Sequence, residues 1–233
     1  GLGCPPTADS EALMAVLLFF LLLVGLNPAW AEDPNRDNIR IILDNSGSMK
    51  GADTDAGRVA KLATLLLFDL AYPNLDDEGE SFEVYTFDSG WTKKGWTSLL
   101  QHTGKPINPK GQRNSRSFLQ QALKEVSYNA NETFYAPGIE RALTDLEKTP
   151  GGITDRRVIV LVTDGLPGDG DATIMEGETK RIHGLAKRFD AANVRLYIIA
   201  VGTKANTNIE WLRALTEPPN KSDIGQAFDT STD

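Results

Sequence analysis

The chain has 233 residues, of which 40% are hydrophobic and 24% charged, and its formal net charge is −8. That composition excludes a disordered polymer, and the acidic balance argues against a nucleic-acid binder, which needs a basic face. With one cysteine, Cys4, and two distant histidines, His102 and His183, the chain lacks the material for a disulfide, a thiolate zinc site or histidine-centred catalysis.

Met14 to Ala31 read MAVLLFFLLLVGLNPAWA. The apolar run from Ala15 to Leu26 suits the core of a signal peptide and falls short of the ~20 residues that span a bilayer. Ala29-Trp30-Ala31 has the small-x-small form of a signal-peptidase site, so residues 14–31 read as a leader and 32–233 as the exported domain. Asp9 and Glu11 stand where basic residues are usual. Residues 1–13 therefore read as an upstream extension of a chain that begins at Met14. The alternative is an uncleaved membrane anchor starting near Ala12, the chain's only membrane contact. Either way the domain lies outside the cytoplasm: secreted, periplasmic or at the cell surface.

From Asn38 onward, apolar strands alternate with amphipathic helices. Ile39 to Leu43 is a strand covered on both faces. A helix follows, with Val59, Leu62, Ala63, Leu66 and Leu70 on one side. Phe82 to Phe87 is the second strand, and Ser89 to Leu100, carrying Trp91 and Trp96, forms an antiparallel edge strand. Leu119, Ala122, Leu123 and Val126 mark the next helix; Ile139, Ala142, Leu143 and Leu146 mark another. Arg157 to Thr163 is a buried strand, and Ile182, Leu185, Ala186 and Phe189 define the helix after it. Val194 to Val201 is a strand, Asn208 to Leu215 a short helix, and Gln226 to Phe228 opens a last strand. No final helix follows to cover that strand, which implies that the natural protein continues past Asp233. The pattern predicts an α/β domain with a doubly wound, mostly parallel sheet flanked by helices.

Ligands of such sheets bind at the carboxyl ends of the strands. The first strand ends in Asp44-Asn45-Ser46-Gly47-Ser48, and the strand 158–162 leads into Thr163-Asp164-Gly165. Between them, Thr133 stands five residues before the pair Gly138-Ile139. Gly47 and Gly165 are expected to permit tight turns that bring the three segments together.

This pattern resembles the metal-ion-dependent adhesion site of von Willebrand factor A and integrin inserted domains, over about Asn38 to Phe228. The resemblance implies a Rossmann-like fold and a bound divalent cation. It also implies that Ser46, Ser48 and Thr133 are ligands, with Asp44 usually acting through water and Asp164 as the aspartate of the third motif. Hydroxyls, carboxylates and water are hard donors that suit Mg²⁺, although Mn²⁺ and Ca²⁺ accept the same set.

Other motifs carry less. Asp169 and Asp171 read as a solvated acidic loop rather than a second cation site. They also fail as a phosphatase nucleophile motif, because they do not directly follow a buried strand. Asn131-Glu132-Thr133 and Asn220-Lys221-Ser222 match the glycosylation sequon. No nucleophile elbow, phosphate loop or dinucleotide fingerprint occurs. A metal-assisted hydrolase would need a general base, for which only Asp169 or Glu132 is at hand. The expected function is an exported, non-enzymatic adhesion or protein-interaction module that binds a partner's carboxylate through the cation. The alternative is a non-catalytic subunit or domain of a larger enzyme or secretion and assembly complex.

Overall fold

The computed structural model describes residues 37–50, 56–71, 81–87, 96–103, 116–126, 128, 133–149, 155–201, 208–219 and 221–229. The expected leader or anchor, Trp91, Asn131, Glu132 and Asn220 lie outside them. Strands β1 (Asp37–Asp44), β2 (Ser81–Phe87), β3 (Trp96–Thr103), β4 (Arg156–Thr163), β5 (Val194–Ala200) and β6 (Gly225–Asp229) form one sheet. Its order is β3-β2-β1-β4-β5-β6. Every neighbouring pair is parallel except β2 with β3, which is antiparallel. Of the expected edge strand, Trp96 to Leu100 falls in β3, which pairs with β2 with a register shift between Val84 and Tyr85, and 89–95 lie outside the described residues.

Side chains alternate across a strand, so each strand feeds two cores. On one face Ile41, Leu43, Val84, Val160 and Val162 pack under helices α1 (Ala56–Ala71) and α2 (Arg116–Glu125). On the other, Ile42, Ile159, Leu161, Leu196 and Ile198 pack under α3 (Ala136–Lys148), α4 (Ala172–Gly184), α5 (Ala186–Ala192) and α6 (Ile209–Thr216). Coverage on both faces is why the central strands are apolar almost throughout. The exception is Arg40, which is 2% exposed and lies 3.3 Å from Glu83. It also donates to Ser81 Oγ at 2.8 Å and to Thr149 Oγ1 at 3.0 Å.

Two expectations need correction. Leu62 is not on the buried side of α1: it is 44% exposed, while Ala56, Val59, Ala60, Ala63, Leu67 and Phe68 form the packed stripe. The helix is apolar around most of its circumference, so periodicity alone offers two overlapping stripes. Phe68 decides between them by meeting Phe82 edge-on, with ring centroids 5.3 Å apart. Leu62→Lys is therefore expected to change urea-measured stability by no more than about 0.5 kcal/mol, the range of ordinary surface substitutions. A loss of about 2 kcal/mol would place Leu62 back in the core.

The second correction concerns the helix carrying Ile182 and Phe189, which is two helices. Leu185 N–H bonds back three residues to Ile182 O at 2.9 Å, a tightened turn that ends α4 and starts α5. Gly184, a poor helix former, stands at that break. Leu185, Ala186 and Phe189 are buried all the same. Among the described residues no helix is long and apolar enough to cross a membrane.

Candidate metal centre

Asp44 closes β1 and Thr163 closes β4. These strands are parallel neighbours at the centre of the sheet, so both residues stand on its carboxyl edge. Past Asp44 the chain turns locally: Ser46 N–H donates to Asp44 Oδ1 at 2.8 Å, the self-bonding that makes aspartate a turn residue. One 3-10 turn, Gly47–Lys50, follows and is pinned by the buried Met49. That turn leaves the Ser46 and Ser48 hydroxyls 2.8 Å apart, with Ser48 Oγ donating to Asp164 Oδ1 at 2.9 Å. Each hydroxyl has one proton; because Ser48 gives its own to Asp164, Ser46 is the donor to Ser48. The turns at Gly47 and Gly165 form without left-handed backbone. Among the described glycines, Gly168 and Gly170 adopt positive φ, and a Cβ on Gly165 would meet Ser48 Oγ at an ordinary 3.6 Å.

Thr133 is buried, 5% exposed, three residues ahead of α3. Two residues on, Tyr135 reaches the site. The Tyr135 hydroxyl contacts Thr163 Oγ1 at 2.9 Å and donates to the Gly165 carbonyl. Thr163 Oγ1 in turn donates to Asp44 Oδ2 at 2.6 Å. The contacts of Tyr135 with Thr163 and Gly165, together with the Thr163 bond to Asp44, therefore join all three segments. At the backbone end, Tyr135 N–H and Ala136 N–H donate to Glu178 Oε2 at 2.7 and 2.6 Å.

The first turn has its own strut. Asn45 Oδ1 accepts from Tyr128 N–H at 2.9 Å, and Tyr128 donates to Gly57 O at 2.7 Å. Only glycine leaves room there, since a Cβ on Gly57 would sit 2.3 Å from the Tyr128 ring.

Five of the residues doing this work escape sequence reasoning. Thr163 and Asn45 lie inside the recognised turns and Tyr135 is two residues from Thr133, so proximity was a usable signal. Tyr128 and Glu178 gave none.

Burial dominates the electrostatics. It raises the pKa of Asp44, against hydrogen bonds from Thr163 and Ser46 that lower it. Burial, with the Asp44 charge second, raises Asp164 to about 7. The Tyr135 hydroxyl is pushed well above its usual value, again by burial first. Two carboxylates and hydroxyls thus converge where negative charge is costly, an arrangement that a hard dication fits. Among the described residues no three His, Cys, Asp or Glu side chains gather as a metal site, so a donor set here must use the hydroxyls. In the acidic loop, Asp171 caps α4, accepting from Thr173 N–H at 2.8 Å and Ile174 N–H at 3.0 Å. The Asp169 side chain lies outside the description.

The model of the von Willebrand factor type A domain family matches residues 38–232. No curated protein matches the chain in sequence. Solved structures do match in fold. The pilus adhesin SpaC from Lactobacillus rhamnosus GG aligns with a TM-score of 0.55 and 15% identity, over 84% of this chain and 29% of that one. Proximal thread matrix protein 1 from the mussel byssus, with a zinc-occupied MIDAS motif, gives 0.53 and 16%, over 84% and 44%. The manganese-loaded TRAP protein of Plasmodium vivax gives 0.51 and 16%, over 84% and 70%. The chain spans under a third of the adhesin and under half of the byssus protein.

Proposed function

Because the chain belongs to the von Willebrand factor type A domain family, we propose that it is a non-catalytic interaction module whose partner docks through a divalent cation on the carboxyl edge of the sheet. The observation that carries this reading is the joined set Asp44, Ser46, Ser48 and Asp164, with Thr133 buried two residues ahead of Tyr135. Ser46, Ser48 and Thr133 would hold the ion directly, and Asp44 and Asp164 would balance its charge. Mg²⁺ is the assigned ion, with Mn²⁺ and Ca²⁺ as competitors for the same oxygen donors. Bound there, the ion supplies positive charge and a ligand position for a carboxylate on a protein partner.

The chain's own residues prepare that position. The Thr163 hydrogen bond holds Asp44 still, and the Ser46-to-Ser48-to-Asp164 relay orients the hydroxyl oxygens. Nothing in this set requires a general base, and His183 is engaged elsewhere, its Nε2 lying 2.8 Å from Ala214 O. Export and an extracellular setting complete the proposal. Their support is the signal-like segment at residues 14–31 and the fold shared with a pilus adhesin and a byssus matrix protein.

The test uses a glutamate-bearing peptide fixed to a sensor surface. The protein should be retained in Mg²⁺, released by chelator, and not retained when it carries Thr133→Ala. Retention indifferent to both chelator and Thr133→Ala would contradict the proposal.

A further inference from the structure

Helix α3 starts without a cap of its own. Tyr135 stands at the N-cap position with φ −85° and ψ −41°, and its own side chain makes no capping hydrogen bond. Free N–H groups at a helix start must find acceptors, and here they find one from another helix. Glu178 on α4, 2% exposed, places a single oxygen, Oε2, on the N–H groups of both Tyr135 and Ala136. Its other oxygen lies 4.0 Å from Arg181. Among the described residues none of Asp44, Ser46, Ser48, Thr133 and Asp164 hydrogen-bonds to this carboxylate, so neither the metal reading nor the family motif calls for it.

We propose that Glu178 is a positioning residue for the cation site, fixing Thr133 through the backbone of Tyr135. The geometry is a two-ended clamp. The phenol end of Tyr135 is fastened to Thr163 and Gly165 beside Asp164, and the backbone end is fastened to Glu178. Thr133 is only two residues upstream, about 7 Å of extended chain, so its reach toward Ser46 and Ser48 is set by where that backbone is held. The Tyr135 ring is further confined by Phe87 and Trp211, at centroid distances of 6.1 and 5.9 Å. The ring is thus flanked on two sides, and the backbone end is held by Glu178. The inference rests on the cation-site reading above.

Two variants separate reach from charge. Glu178→Gln keeps the length and one carbonyl oxygen able to accept both N–H groups, but removes the charge. Glu178→Asp keeps the charge and withdraws it by one methylene. Mg²⁺ affinity is measured by calorimetry on folded, metal-stripped protein, with thermal stability recorded separately. Positioning requires Glu178→Asp to bind Mg²⁺ about tenfold more weakly than wild type, the usual scale for groups that orient a metal's ligands. Glu178→Gln should stay within about threefold of wild type, and this order should hold whatever the melting temperatures do. The reverse order, with Glu178→Gln the weaker binder, would assign the effect to charge and overturn the proposal. Equal wild-type affinity in both variants would make Glu178 a helix cap only and overturn it too. Wild-type protein that binds no Mg²⁺ would instead remove the cation-site reading, and this inference with it.

Discussion

Replacing Asp44 with asparagine is expected to weaken Mg²⁺ binding by about 100-fold or more, while the metal-free protein becomes no less stable than wild type. Asp44 is buried and its carboxylate is held above the usual range chiefly by that burial. Removing the charge removes a desolvation penalty that the metal-free fold carries without return. The hydrogen bonds can be rebuilt. The introduced amide oxygen accepts from Ser46 N–H as Oδ1 does now, and the amide nitrogen faces Thr163 Oγ1 in place of Oδ2. Thr163 then accepts from that nitrogen and turns its proton toward the Tyr135 hydroxyl, which already donates to Gly165 O. The second amide N–H costs part of what removal of the buried charge returns, so the fold survives while the cation loses one of its two nearby negative charges. Calorimetric titration and urea unfolding of the same preparation check both halves. Unchanged Mg²⁺ affinity would detach Asp44 from the site, and an unfolded variant would make the carboxylate structural.

The second large effect is a pH dependence that Mg²⁺ opposes. Asp164 titrates at about 7 in the folded protein, raised by burial and then by Asp44, against about 3.9 for an unfolded aspartate. Between those values the folded state binds more protons than the unfolded one, so stability falls as pH rises. The contribution is fully present below about pH 4 and is lost as pH passes through 7. At about 1.4 kcal/mol per unit, the ceiling is on the order of 4 kcal/mol. The raised pKa of Asp44 acts in the same direction. Mg²⁺ binds the deprotonated carboxylates, so its stabilising effect grows over the window in which the metal-free protein weakens. Unfolding in urea at pH 5 and pH 8, in Mg²⁺ and in chelator, should show a gap between the two conditions that widens at pH 8. Parallel pH profiles with and without Mg²⁺ would contradict the assignment.

Local patterns carried most of the fold and the core of the site. The strand at Ile39 to Leu43 and the strand at Arg157 to Thr163 are legible because burial on both faces makes them apolar nearly end to end. Asp44, Ser46 and Ser48 are legible because one turn contains all three. What stayed hidden depends on partners far along the chain. Glu178 meets Tyr135 across 43 residues and Asn45 meets Tyr128 across 83, and no local periodicity encodes either contact. Arg40 stands inside an apolar run with no local sign of the Glu83, Ser81 and Thr149 that surround it. The face of α1 was ambiguous because its apolar surface is wide, and Phe68 against Phe82 settles it.

The most direct measurement is calorimetric titration of Mg²⁺ into metal-stripped protein, with the Asp44→Asn variant beside it and acetate present as a carboxylate mimic. Saturable binding at one site, lost in the variant, is the expected result. Absence of binding by wild type to both Mg²⁺ and Mn²⁺ under those conditions would leave the fold standing and contradict the cation-mediated function.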